Sequence, residues 1–173
     1  MSNIRVASLE DAQGILAVYA PYCATPITFE LEPPALPEMR RRIAEVLKHH
    51  IWLIAVDEEQ VVGYAYGHAF RDRPAYRWSV ETSVYVDQDR QGMGIGKALY
   101  QYLFDALKKQ GYVIAVAGIT LPNPASVKLH EQFAFKKVGV FENVGYKNGA
   151  WHNVALFQRQ LNELSDKPKE PKM

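Results

Sequence analysis

A chain of 173 residues, with 20 Lys and Arg against 19 Asp and Glu, is long enough for one domain, and its charge balance predicts neither a nucleic-acid nor a membrane partner. No apolar run approaches the roughly 18 residues of a membrane span. The single Cys23 and an amino terminus without signal-peptide layout predict a protein of the reducing cytoplasm. No Cys/His spacing resembles a zinc site, so we expect no metal.

The first half of the chain predicts helices and antiparallel strands. Ser8 and Asp11 are spaced as a helix start, and apolar residues follow at helical intervals. Two β-rich runs separated by four polar residues predict a hairpin. In order, we expect a strand at 4–6, helices at 8–21 and 37–50, and hairpin strands at 51–56 and 61–70.

The second half predicts the remaining strands around two more helices. In the run at 79–86, alternation places Glu81, Ser83 and Tyr85 on one face and the valines with Thr82 on the other. Gly111 ends a helix. We expect further elements as a helix at 98–110, a strand at 112–118, a helix at 125–133, and strands within 135–141 and 151–161.

This order predicts an α+β fold: a mainly antiparallel mixed sheet flanked by helices, with a central β-α-β crossover. After Leu161 the sequence loses its large apolar residues and gains Lys, Glu and Pro. We therefore expect a single domain at 1–161 and a disordered charged tail at 162–173.

A glycine-rich loop between a strand and a helix carries the clearest chemical signal. Backbone N–H groups in such a loop converge, and the helix N-terminus adds partial positive charge, so this segment suits a pyrophosphate. Gln91 stands where a P-loop needs Gly, and Ala98 where it needs Ser or Thr. Lys97 also departs from the dinucleotide fingerprint. What remains is the pattern Gln91-x-x-Gly94-x-Gly96.

This pattern resembles the pyrophosphate loop of the GNAT superfamily of N-acetyltransferases. A second motif of that family is similar to residues 123–135, with Asn123, Ser126, Leu129 and Phe135 matching. His130 stands in place of its Tyr and Ala134 in place of its Gly. The segments TPITFELEPP, NPASVKLHE and GYKNGAWHNV narrow the resemblance to phosphinothricin and methionine sulfoximine or sulfone N-acetyltransferases, over residues 4–161.

The resemblance implies acetyl-CoA as co-substrate and assigns roles to residues. Glu81 is the expected general base and His130 the expected acid for the leaving thiolate, with Tyr85 or water as alternatives. A core histidine with only structural hydrogen bonds is the other interpretation of His130. Cofactor contacts are expected along the strand and in the glycine loop, at Val84, Tyr85, Val86, Gly92, Met93, Gly94, Ile95, Gly96, Lys97 and Asn123.

The expected acceptor is a small amino-acid-like amine. Loop guanidinium groups suit a bidentate grip on its carboxylate, and an aromatic residue suits a pocket wall. The candidates are Phe29, Arg71, Arg73, Arg77, Glu81, Thr82 and Ser83. Two alternatives stay open: acetylation of a protein or peptide amine, and a regulatory acyl-CoA-binding module without catalysis.

Aromatic residues in the last strands suggest an assembly. Trp151 and Phe157 are expected to be exposed there and would suit a homodimer, as the resemblance also implies. The sequence thus predicts a cytoplasmic, homodimeric acetyltransferase.

Overall fold

The computed structural model describes residues 3–172, which contain seven strands and four α-helices. Short 3-10 turns join several of them. The elements in chain order are β1 (Asn3–Val6), α1 (Ala12–Tyr19), α2 (Leu36–Leu47), β2 (Trp52–Asp57), β3 (Gln60–Ala69), β4 (Ser79–Val86), α3 (Ile95–Gln110), β5 (Ile114–Leu121), α4 (Pro124–Gln132), β6 (Lys136–Lys147) and β7 (Ala150–Gln160). The predicted order of helices and strands is confirmed.

All strands belong to one sheet, in the order β1-β2-β3-β4-β5-β7-β6. Neighbours are antiparallel except β4 and β5, which are parallel and joined through α3. This is the predicted central crossover, because a parallel pair needs a long connection across one face. The mixed α+β sheet is therefore confirmed.

A separate apolar core lies on each face of the sheet. One core places α3 against alternate residues of β3, β4 and β5, with Leu99, Leu103 and Leu107 fully buried. The other places α1 and α2 against the opposite face and includes Tyr64. Because side chains alternate along a strand, β4 sends the valines with Thr82 to the first face and Glu81 with Tyr85 to the second.

Helix bounds differ from the predicted ones by a few residues for identifiable reasons. Helix α1 ends at Tyr19, and Pro21 lies in a 3-10 turn over Ala20–Ala24. Helix α3 begins at Ile95 because Gly94, with φ of 82°, is its N-cap. Gly111, with φ of 96°, ends that helix as predicted.

Phe157 was predicted to be exposed, and this prediction is wrong. Its side chain is 2% exposed and belongs to the core under α3. Strand β7 pairs on both sides, with β5 and β6, and alternation turns Phe157 inward. Trp151, at the start of β7, is 63% exposed, as expected.

The segment after Leu161 contains no helix or strand up to residue 172. It contacts the two residues just before β4: the Trp78 indole N–H donates to the Lys169 carbonyl at 2.8 Å, and Arg77 pairs with Glu170. The disorder expected at 162–173 stays a prediction. Within residues 3–172, no helix has the length and apolar character needed to cross a bilayer.

Candidate active site

The sheet opens where β4 and β5 separate. Their pairing covers only Ser79–Glu81 against Ile114–Val116. Beyond it, β4 continues for five residues to Val86, while still paired with β3 on its other side. The edge of β4 toward β5 therefore offers backbone donors and acceptors to an extended ligand lying along it.

The glycine loop lies directly beyond the end of β4 and opens into α3. Gly92 and Gly94 have φ of 79° and 82°, and no atom lies within 4 Å of a Cβ placed on either. Positive φ is a conformation that glycine adopts without cost. The first N–H groups of α3 have no carbonyl of their own helix to bind, so this end of the helix suits an anion.

A cleft of about 490 Å³ connects these features with β5 and α4. Arg90, Lys97 and Lys128 are on its border and add positive charge, although Arg90 also pairs with Asp57 at 2.7 Å. The expected cofactor residues Val84, Tyr85, Val86, Gly92, Gly94, Ile95, Gly96, Lys97 and Asn123 line the cleft. Met93 is not among the lining residues, and its side chain is exposed.

Asn123 has a structural task as well, since its side chain caps α4. The Asn123 carboxamide oxygen accepts from the Ser126 N–H at 3.2 Å. This is the usual way in which an N-cap satisfies an otherwise unpaired N–H of the first helical turn. The same bond orients α4 along the cleft.

His130 lies in the cleft wall with both ring nitrogens engaged. Its Nδ1 is 2.8 Å from the Ser126 carbonyl and its Nε2 is 3.0 Å from the Tyr100 hydroxyl. A carbonyl can only accept, so Nδ1 carries the hydrogen and Nε2 accepts from Tyr100. Burial lowers the pKa of His130 below its ordinary value. The imidazole is therefore held neutral, with no N–H directed into the cleft.

Glu81 is half-buried on the opposite face of β4 from His130. Its pairing partner across the sheet is His68 on β3. On the other side, Gly118 of β5 leaves room for the carboxylate: a Cβ placed there would lie 4.0 Å from Glu81 Oε1. Glu81 is thus the last residue of β4 that pairs with β5 before the two strands separate.

A second cavity, of about 280 Å³, lies on this same face between α2 and the sheet. Its floor is a series of stacked aromatic rings, with Trp52 and Tyr66 centroids only 4.2 Å apart. Tyr66 pairs with Ser83 across the strands, next to the Glu81 and His68 pair. Tyr85 lines both cavities.

The remaining expected acceptor residues are spread around this region. Thr82 is buried and lines the cofactor cleft, facing away from Glu81. Phe29 lies in the loop before α2 and contacts Gly145 of β6.

The three arginines of the loop before β4 are all exposed and line neither cavity. Arg71 stacks over Phe70, with its guanidinium carbon 5.1 Å from the ring centroid, and Arg77 is bound to Glu170. Arg73 precedes the short 3-10 turn at Pro74–Tyr76.

Several side-chain contacts around the site were not predicted. Gln91, the first residue of the loop motif, donates to the Tyr22 hydroxyl at 2.9 Å, and Tyr22 in turn donates to the Val86 carbonyl. Tyr100 holds His130. Both tyrosines occur among apolar residues at helical spacing, so the sequence gives the signal of core residues rather than of site residues.

A parallel strand pair that opens over a glycine loop and a helix N-terminus defines a protein that binds an extended, phosphate-bearing cofactor. Residues 4–156 match the family described as Acetyltransferase (GNAT) domain. The chain belongs to this family and is an acetyl-CoA-dependent N-acetyltransferase. Acetyl-CoA is its co-substrate, and the cleft has the lining and the positive border that its phosphates require.

Characterised relatives agree in length and sequence. Phosphinothricin N-acetyltransferase of Streptomyces coelicolor is 41% identical over 167 residues, covering 92% of this chain and 96% of the relative. L-methionine sulfoximine/L-methionine sulfone acetyltransferase of Pseudomonas paraeruginosa is 32% identical over 170 residues, covering 96% and 99%. The sequence-based family assignment is therefore confirmed.

Solved structures agree in fold. A GNAT superfamily phosphinothricin acetyltransferase from Sinorhizobium meliloti, in complex with AcCoA, superposes with a TM-score of 0.93 at 35% identity, covering 98% of this chain and 94% of that one. An acetyltransferase of Salmonella typhimurium solved with acetyl-CoA gives a TM-score of 0.92 at 28% identity, covering 96% and 98%.

Proposed function

We propose that this enzyme acetylates the amine of a small amino-acid-like acceptor of the phosphinothricin or methionine sulfoximine/sulfone type. The observation that carries the proposal is the similarity to relatives of those names over more than nine tenths of the chain. The geometry supports it, because the second cavity is lined by His68, the pairing partner of Glu81, and shares Tyr85 with the cofactor cleft. A protein substrate would need an open groove, whereas this cavity of about 280 Å³ suits a small molecule.

We further propose direct transfer with Glu81 as general base. Glu81 takes a proton from the acceptor ammonium, and the freed amine attacks the thioester carbonyl carbon. A backbone N–H on the free edge of β4 donates to the developing oxyanion. The nitrogen releases its second proton to solvent as the C–S bond breaks, and the amide product and CoA thiolate separate. In this way no acetyl group is carried on the protein.

The thiolate takes its proton from solvent in this proposal. Both ring nitrogens of His130 are engaged, and burial favours its neutral form. Tyr85 is a poor acid because burial raises its pKa far above the ordinary value. We therefore assign His130 the structural role of holding Tyr100 in the cleft wall.

A thiol-release assay with acetyl-CoA tests the acceptor class. The panel should contain phosphinothricin, methionine sulfoximine, methionine sulfone, ordinary amino acids, polyamines and lysine peptides. We expect rapid turnover of the amino acid analogues and little of the peptides. Turnover confined to peptides would contradict the acceptor proposal but not the reaction. Binding of acetyl-CoA without turnover of any amine would favour a regulatory module.

We also propose that the protein is a homodimer that buries the outer surface of β6. This strand is at the edge of the sheet, and an exposed edge with apolar side chains invites pairing with another chain. The exposed apolar residues of β6 are Val138, Val140, Phe141, Val144 and Tyr146, and Trp151 is exposed at the start of the adjoining β7.

Light scattering at micromolar concentration tests the assembly. We expect a mass of twice the 19.6 kDa chain for the wild type and a monomer for a Val140→Lys/Trp151→Lys double variant. Tyr102, which is exposed on α3, provides the matched control: Tyr102→Lys is expected to leave the dimer intact. A monomeric wild type would refute the proposal.

A further inference from the structure

Lys147, at the end of β6, is a buried cation. Lys147 is only 4% exposed. Its ammonium donates to two backbone carbonyls, that of Thr28 at 2.8 Å and that of Glu30 at 2.6 Å. Within residues 3–172 it forms no ion pair. A charge is retained in a protein interior only where its hydrogen bonds are satisfied. The two carbonyls therefore hold the Lys147 ammonium in place, and the ammonium in turn fixes the backbone of Thr28 and Glu30.

The segment that Lys147 binds is the stretch before α2, residues 25–35, which has no helix or strand of its own. Its Glu30 carboxylate accepts from the Arg42 guanidinium at 2.6 and 2.9 Å, and from the Tyr19 hydroxyl. Tyr19, Glu30 and Arg42 all line the second cavity. The backbone that Lys147 fixes therefore carries one wall of the proposed acceptor pocket.

Two further contacts join this segment, and the residue just before it, to the β6–β7 hairpin. The Asn148 side chain donates to the Ala24 carbonyl at 3.0 Å. Phe29 lies so close over Gly145 that a Cβ at that position would be 2.3 Å from the Phe29 ring. Three hairpin residues make these contacts, and Lys147 is the middle one and the only charged one. It donates two of the three hydrogen bonds.

We propose that Lys147 is a positioning residue for the acceptor: it fixes the segment with Phe29 and Glu30 and so sets the shape of the pocket that binds the acceptor. The inference rests on the proposed function, because it takes the second cavity as the acceptor pocket. Lys147 lies outside the cofactor cleft. Of the segment that it fixes, only Ile27 lines that cleft, so the loss of Lys147 should affect acceptor binding far more than acetyl-CoA binding.

Steady-state kinetics of Lys147→Met tests this role. We expect the acceptor KM to rise about tenfold or more, since two charge-assisted hydrogen bonds are lost, and the acetyl-CoA KM to change much less. Lys137→Met removes an exposed lysine from the same strand and should change neither KM. An unchanged acceptor KM would overturn the proposal. It would also be overturned if kcat alone fell, and only in proportion to the fraction of protein that is no longer folded.

Gly145→Ala is the second variant and is decisive if Lys147→Met does not fold. It leaves the ammonium in place and displaces the Phe29 ring, so the acceptor KM should rise again while the acetyl-CoA KM stays the same. A normal acceptor KM in this variant would also overturn the proposal.

Proteolysis separates this inference from the proposed function. A glutamate-specific protease should cut Lys147→Met after Glu30 or Glu32 about tenfold faster than the wild type, whereas Lys137→Met should match the wild type. This readout needs no turnover. If the wild type acetylates no small amine, the proposed function fails, and the cleavage rate still decides whether Lys147 fixes the segment; equal rates would overturn it.

Discussion

Replacement of Glu81 by Gln is expected to lower kcat by about 10² to 10⁴-fold, the usual contribution of a general base. Gln has nearly the same size and leaves β4 and Gly118 undisturbed, so the folded state should be unaffected. The cofactor cleft is not lined by Glu81, and the dissociation constant for acetyl-CoA should stay within about twofold of the wild type. Turnover with a saturating amino acid analogue and calorimetric titration with acetyl-CoA measure the two effects.

Two other variants make the result specific. Glu142→Gln changes an exposed carboxylate on β6 and should retain full activity. His130→Gln should lower the melting temperature through loss of the Tyr100 bond, while kcat of the folded enzyme falls less than tenfold. A kcat within about threefold of the wild type in Glu81→Gln would exclude Glu81 as the base. If kcat falls as far in His130→Gln as is expected for Glu81→Gln, His130 would be the acid that protonates the thiolate.

Replacement of Gly94 by Val is expected to weaken acetyl-CoA binding by about tenfold or more. The φ of 82° at Gly94 costs a β-branched residue about 1 to 3 kcal/mol, and every 1.4 kcal/mol is a factor of ten in affinity. Since a Cβ there meets no atom within 4 Å, the loop can relieve the strain only by changing the backbone that presents its N–H groups. Calorimetric titration with acetyl-CoA and with free CoA measures the loss.

Gly111→Val is the matched control for this variant. Gly111 caps the other end of α3 with φ of 96°, so the same substitution imposes similar strain on the same helix, far from the glycine loop. Both variants should lose comparable stability, and only Gly94→Val should lose affinity for acetyl-CoA. Equal affinities in the two variants would show that the loop does not bind the pyrophosphate through its backbone.

Local patterns in the sequence predicted the fold well, and they also predicted the glycine loop that lines the larger cleft. Each is a short-range signal: alternation in residues 79–86, the glycine loop before α3, Gly111 at its end. Such signals depend only on neighbours in the chain. For this reason the element order, the crossover and the loop could be predicted from the sequence alone. The helix ends differ from the predicted ones by a few residues, because they depend on the caps.

Long-range contacts account for what the sequence could not predict. Phe157 lies on the inner face only because β7 is an interior strand, which depends on the pairing of β5 with β7. The second cavity needs α2 to lie across β2 and β3, and the Lys147 bonds join residues 117 and 119 positions apart. In the sequence, Lys147 is one more lysine in a strand, and nothing near it reveals burial.

In the proposed arrangement, the separation of β4 from β5 leaves the main chain, more than side chains, to hold the co-substrate. Peptide groups are the same whatever side chain they carry, so much of the grip on the nucleotide depends on backbone shape. The side chains of Val84 and Val86 remain available to pack beneath α3. In the proposed acceptor pocket, by contrast, recognition would depend on individual side chains from α1, α2 and a distant hairpin, and could change residue by residue while the acetyl donor stays the same.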